Sequence, residues 1–154
     1  MIYIGIDPGL ASGAWGAIDH NGAYVACGDI EQMGERINAR TLKIALQDAI
    51  RQGQDGAEFV IEDVFVRPGQ GMSSTGKFMR AAGAIEATVS LLLYPYELAT
   101  PQKWTKGMGL ISQDNKQSLS MARELWPDAP LKLVKHHGRA EALLMAKWLL
   151  NNAD

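Results

Sequence analysis

Cys27 is the single cysteine in 154 residues, which excludes an intrachain disulfide and a cysteine cluster for zinc and suits a reducing compartment. Redox chemistry is therefore not the theme. No apolar run approaches the roughly 20 residues that a membrane helix needs. The start, MIYIGID, has no basic stretch and meets a carboxylate at Asp7, unlike a signal peptide. A soluble, cytoplasmic protein is the expectation. An excess of basic charge is also missing. The formal net charge is −2, which argues against a large nonspecific nucleic-acid footprint, since such affinity comes mainly from Lys and Arg on phosphates. Repeats, low-complexity tracts and a dividing linker are absent, so residues 1–154 are expected to form one domain.

Apolar segments supply the elements. IYIGID (2–7), GAWGAID (13–19) and AYVACGDI (23–30) are strand-like, and Asn21-Gly22 between the last two is a strong hairpin signal. These three predict an antiparallel meander. Residues 39–51 carry Leu42, Ala45, Leu46, Ala49 and Ile50 at helical spacing, and AEFVIED (57–63) is a second continuous apolar run ending in acid. Such a run fits a central strand covered on both faces. A Gly/Ser/Pro loop (66–76) leads into a helical pattern over 74–92, and 95–98 is a short strand. Thr100-Pro101 opens a further helical turn, and helices are predicted over 113–126 and 138–150. The class is α/β.

Asp7 and Glu62 each end a buried strand, where an unpaired carboxylate is costly. If the strands are neighbours, both carboxylates leave the same sheet edge, and a hard divalent cation between them resolves their repulsion. Taken singly, each also fits an ordinary turn or strand end. Strand alternation sets Glu62 apart from Asp63, and Glu62 is preferred because Ile61 and Asp63 share the opposite face.

VKHHGRAEALLMAKWLL (134–150) adds a third element. His137 and Glu141, four apart, share a helix face continued by Leu144 and Trp148. Glu141 is thus either a favourable acid near the helix N-terminus or a ligand at the polar head of a buried stripe.

IGIDPGLASGAWG, VIEDVFVRPGQGMSSTGKF, PQKWTKGMGL and HHGRAEALLMAKW, in this order and spacing, resemble the RuvC-like Holliday junction resolvases, particularly their compact phage and prophage forms. The resemblance spans nearly the whole chain. It implies an RNase H-like fold with a mixed five-stranded sheet flanked by helices. It also implies a homodimer in a bacterial or phage-infected cell, acting on four-way DNA junctions without a nucleotide cofactor. Asp7, Glu62 and Glu141 match the family's acidic positions. The remaining one, a turn before Glu141, falls on His137 at a spacing of four or Gly138 at three; His137 is chosen, with His136 as the alternative.

The implied chemistry uses two Mg²⁺ or Mn²⁺ ions per active site, about 3.5–4 Å apart, to activate a water and stabilise the leaving oxygen. An imidazole in place of a carboxylate shifts preference toward Mn²⁺. His137 is read as a ligand or as the group that orients the water. Lys116 matches a lysine expected to reach the scissile phosphate, against the ordinary alternative of a solvated helix-start lysine.

Arg67, Gln70, Ser73, Ser74, Lys77, Phe78 and Arg80 cluster around a Gly-rich loop and helix start suited to phosphate. Lys103 and Lys106 flank Trp104 in a second basic group. The resemblance implies an apolar side chain in this region that probes the junction centre, which Phe78 would supply, against the alternative that Phe78 starts a core stripe with Ala82 and Ile85. Trp104 and Trp126 are expected in the core. Basic residues concentrated over 67–116 allow local positive potential within a slightly acidic chain. Competing functions are a catalytically impaired junction-binding protein, a nuclease for other branched DNA, and an actin-like ATPase, whose first phosphate loop also reads Ile-Gly-Ile-Asp-x-Gly. The last needs two such domains to enclose nucleotide.

Overall fold

A computed structural model of the chain describes residues 1–65, 69, 71–110 and 114–153. Strands β1 (Ile2–Asp7), β2 (Ala14–Asp19) and β3 (Tyr24–Asp29) form the expected meander. At its second turn Gly22 takes a φ of +81°, a conformation that suits glycine, and its N–H donates to Asp19 O at 2.9 Å. A small hairpin follows, β4 (Gln32–Met33) and β5 (Arg36–Ile37), which the sequence reading does not foresee. Strands of two residues are too short to carry a period of two.

Helix α1 (Ala39–Ile50) leads to β6 (Ala57–Glu62), and α2 (Met72–Ser90) leads to β7 (Tyr96–Ala99). The chain ends with α3 (Pro101–Gly107), α4 (Asn115–Leu125), a 3₁₀ turn (Val134–His136) and α5 (His137–Asn152). Caps explain several starts: Asn38 accepts from Thr41 N, Thr100 from Lys103 N and Asp114 from Lys116 N. Pro101 occupies the first helical position of α3, as its fixed φ favours. Helix α5 begins at His137, one residue before the predicted boundary, and α2 begins at Met72, two before.

The sheet order is β3-β2-β1-β6-β7, with β1 parallel to β6 and β6 parallel to β7. This is the mixed five-stranded sheet expected of an RNase H-like fold. Alternation splits the core in two. Ile2, Ile4, Ile6, Phe59 and Ile61 face α1 and α2, whereas Tyr3, Ile18 and Val60 face α5 with α3 and α4. Gly5 and Gly16 let α5 lie directly on the sheet. A Cβ on Gly5 would stand 2.0 Å from Ala142 O, and one on Gly16 would stand 2.8 Å from Leu143 N. Among the described residues no helix is long and apolar enough to cross a membrane.

Candidate active site

The site is built where three elements end or begin. Because β1 and β6 are parallel neighbours with Ile6 opposite Ile61, Asp7 and Glu62 leave the same sheet edge one residue later. Both isoleucines are buried against α1 and α2, so alternation turns both carboxylates to the α5 face. The choice of Glu62 over Asp63 follows from that alternation. Asp63 instead continues the edge pairing, its N–H donating to Ala99 O at 2.8 Å.

The glycine contacts that seat α5 also carry Glu141 to this edge. Gly138 completes the approach: a Cβ there would lie 3.2 Å from Asp7 Oδ2 and 2.9 Å from Ser12 O. The head of α5 therefore meets Asp7 with no side chain at that point. The three carboxylates act on one another. Burial, and then the charges of Glu62 and Glu141, hold the Asp7 carboxyl well above its usual range. Burial and then Glu62 push Glu141 up to about 7, against a lowering hydrogen bond from Ser118. The indole N–H of Trp104 donates to Glu62 Oε1 at 2.9 Å.

Converging, mutually opposed carboxylates form an oxygen donor set suited to a hard divalent cation, whose charge would reverse the upward shifts. Among the described residues no three His, Cys, Asp or Glu side chains already stand as a coordinating group. The fit lies in the donor chemistry of Asp7, Glu62 and Glu141 and in the convergence of their three elements on one sheet edge.

The histidines are placed differently from one another. His137 is partly buried at the first position of α5, and its Nδ1 lies 3.4 Å from Val134 O. His136 Nδ1 accepts from Leu133 N at 3.3 Å, and its surroundings are the Arg139–Asp29 pair. That pair is bidentate, 2.7 Å at both bonds, and ties the first turn of α5 to the end of β3. Of the two positions left open by sequence spacing, Gly138 is the one against Asp7.

Arg67 and Gln70 lie outside the described residues. Ser73 and Ser74 are exposed in the first turn of α2, where Gly71 supplies no side-chain cap. Arg80 is exposed, and Lys77 Nζ pairs with Glu35 Oε1 at 2.5 Å. Phe78 is partly buried, while the buried stripe of α2 is Ala81, Ile85, Thr88 and Val89, so Ala82 is not part of it. The fully presented apolar side chain here is Met72, 91% exposed. Lys103 Nζ sits 3.6 Å from Glu97 and 5.0 Å from the centre of the Trp148 ring. Lys106 is exposed, as is Lys116 at the start of α4. Trp104 and Trp126 are core, as expected. Sequence reasoning missed Ser118, whose only signal was a hydroxyl on the apolar stripe with Leu119 and Ala122.

No family model matches the chain. Two curated proteins do, the crossover junction endodeoxyribonuclease RuvC of Rhodopseudomonas palustris strain TIE-1 and that of strain ATCC BAA-98 / CGA009. Each is 31% identical over 150 residues, spanning 93% of this chain and 83% of the relative. Among solved structures, Thermus thermophilus RuvC in complex with a Holliday junction substrate superposes with a TM-score of 0.70 at 14% identity, over 98% of this chain and 95% of that one. A structure of Thermus thermophilus RuvC gives 0.59 at 15% identity, over 98% and 96%. These structural likenesses establish the fold. The identity and coverage shared with the curated proteins establish descent: the chain belongs to the RuvC family of crossover junction endodeoxyribonucleases.

Proposed function

We propose that this chain is a structure-selective DNA endonuclease that resolves four-way junctions by symmetric, metal-dependent phosphodiester hydrolysis. The observation that carries the reading is the convergence of Asp7, Glu62 and Glu141 on one sheet edge, where burial and the charges of Glu62 and Glu141 raise Asp7, and burial and the charge of Glu62 raise Glu141. That edge belongs to a fold shared with a RuvC bound to a Holliday junction.

Asp7, Glu62 and Glu141 would hold Mg²⁺ or Mn²⁺, two ions per site, which when bound supply an activated water and charge stabilisation for the leaving oxygen. Both other carboxylates act on Asp7, and Glu62 acts on Glu141 as well. Glu141, near 7, takes up or releases a proton in the neutral range and is ionised once opposing positive charge arrives. His137 heads the same helix, its Nδ1 3.4 Å from Val134 O, and serves as a nitrogen ligand or orients the attacking water. Lys116, exposed at the start of α4, is assigned to the scissile phosphate.

The DNA path is proposed along Arg67, Gln70, Ser73, Ser74, Lys77, Phe78 and Arg80, and along Lys103 and Lys106. The uncapped first turn of α2 supports it, because free amides and hydroxyls favour phosphate there. The Lys77–Glu35 and Lys103–Glu97 pairs are exposed and weak, so phosphate can displace the carboxylates. Symmetric nicking needs two sites, hence a homodimer, and residues 1–154 supply one catalytic domain to each.

A second reading, junction binding without cleavage, is favoured by one observation: Gly138, against Asp7, brings no ligand. The test offers a mobile four-way junction, a flap and a linear duplex to the protein in Mg²⁺ and in Mn²⁺, with strand-resolved gels. Paired nicks confined to the junction support resolution. Binding without cutting in either metal transfers the case to the second reading, and uniform duplex degradation sinks both.

A further inference from the structure

Trp104 and Ser118 are buried polar side chains whose partners lie at the carboxylate centre. Trp104 is 2% exposed and packed in the α5-side core, yet its one polar atom is directed at Glu62 Oε1, 2.9 Å away. Ser118 is 1% exposed on α4. Its hydroxyl is the one hydrogen-bonding influence that opposes the upward push of burial on Glu141 of α5.

Both donors are neutral, and that property matters. Arginine or lysine in these places would neutralise the carboxylates and compete with a cation. An indole N–H donates and cannot accept, so it can never displace a carboxylate as a ligand. The element carrying it is anchored at both ends: Thr100 caps and Pro101 opens α3, and Gly107 at its end sits so close to Trp148 that a Cβ would meet the ring at 2.5 Å.

We propose that Trp104 and Ser118 are positioning residues, a pair of neutral donors on α3 and α4 that aim the carboxylates of Glu62 and Glu141 for metal binding. This rests on the reading of Asp7, Glu62 and Glu141 as the metal centre. Neither residue touches substrate or metal; each acts through a carboxylate. Outer partners of this kind set metal affinity by about 10–100-fold.

The test uses the full chain and MnCl₂ alone. Calorimetric titrations compare wild type with Trp104→Phe, Ser118→Ala and Asp7→Asn, each also melted without metal and titrated with a four-way junction in chelator. Trp104→Phe and Ser118→Ala should each weaken Mn²⁺ binding about tenfold or more while leaving metal-free junction affinity unchanged. The Trp104 indole N–H resonance, identified by its loss in Trp104→Phe, should shift on adding MgCl₂ to wild type and stay still in Asp7→Asn. A packing role alone would not move it. If Trp104→Phe melts below the assay temperature, Ser118→Ala decides, because it removes a single oxygen. Loss of Mn²⁺ binding in Asp7→Asn with wild-type binding in both other variants overturns the positioning role and leaves the metal centre standing. Unchanged Mn²⁺ binding in Asp7→Asn overturns the metal centre itself and the positioning role with it.

Discussion

Replacing Glu141 by glutamine should stabilise the metal-free protein, and only at high pH. In the fold Glu141 is pushed from its ordinary 4.5 to about 7, by burial first and by Glu62 second. At about 1.4 kcal/mol per tenfold step, ionising it in the folded protein costs about 3 kcal/mol more than in the unfolded chain. A carboxyl raised in the fold favours folding fully below about 4.5, and that contribution drains away as pH rises through about 7. Glutamine has no charge to pay for and keeps an oxygen for Ser118. In chelator, Glu141→Gln and wild type should therefore match near pH 4.5 and diverge above it, the variant ahead by up to about 3 kcal/mol at pH 8. Urea unfolding followed by far-UV circular dichroism at both pH values reads the difference directly. Saturating Mn²⁺ should reverse the order, since the cation favours the ionised carboxylate. A variant that is less stable than wild type at pH 8 in chelator, or a difference independent of pH, would refute the electrostatic account of the site.

Other consequences follow from single contacts. Gly5→Ala sets a Cβ 2.0 Å from Ala142 O, so α5 must move; overpacking of this kind costs about 1–3 kcal/mol or more, visible as a lower urea midpoint together with lost cleavage. Arg139→Ala breaks a bidentate pair whose aspartate is 60% exposed, and the expected loss is about 1 kcal/mol, shrinking as salt is raised in the melting buffer. Lys116→Ala should slow junction cleavage while leaving the melting temperature in place, because its side chain is exposed and α4 is capped by Asp114 rather than by it. Cleavage should be faster in Mn²⁺ than in Mg²⁺ if His137 is a ligand, and equal or faster rates in Mg²⁺ count against that ligation.

The outer frame of the site was legible in the chain. Continuous apolar runs ending in acid located Asp7 and Glu62, and the alternation rule selected Glu62 over Asp63; the parallel β1–β6 register then supplied what sequence left conditional, that the two strands are neighbours. The Asn21-Gly22 turn and the Thr100-Pro101 helix start were local signals and appeared where local chemistry placed them. What sequence left open is set by tertiary contact. A spacing of three or four before Glu141 cannot say which residue meets Asp7, because that depends on the rotation of α5, which is fixed by Gly5 and Gly16 beneath it. Trp104 read as core, and it is, but the direction of its one N–H is a property of α3's placement. The hairpin of β4 and β5 carries too few residues for any period.

Whether Asp7, Glu62 and Glu141 form one hydrolytic centre for branched DNA is decided by strand-resolved cleavage of a mobile four-way junction by wild type and by Asp7→Asn, with junction binding measured alongside. Wild type should give paired symmetric nicks in Mn²⁺, and Asp7→Asn undiminished binding with no nicks. Equal cleavage by both proteins would contradict such a centre.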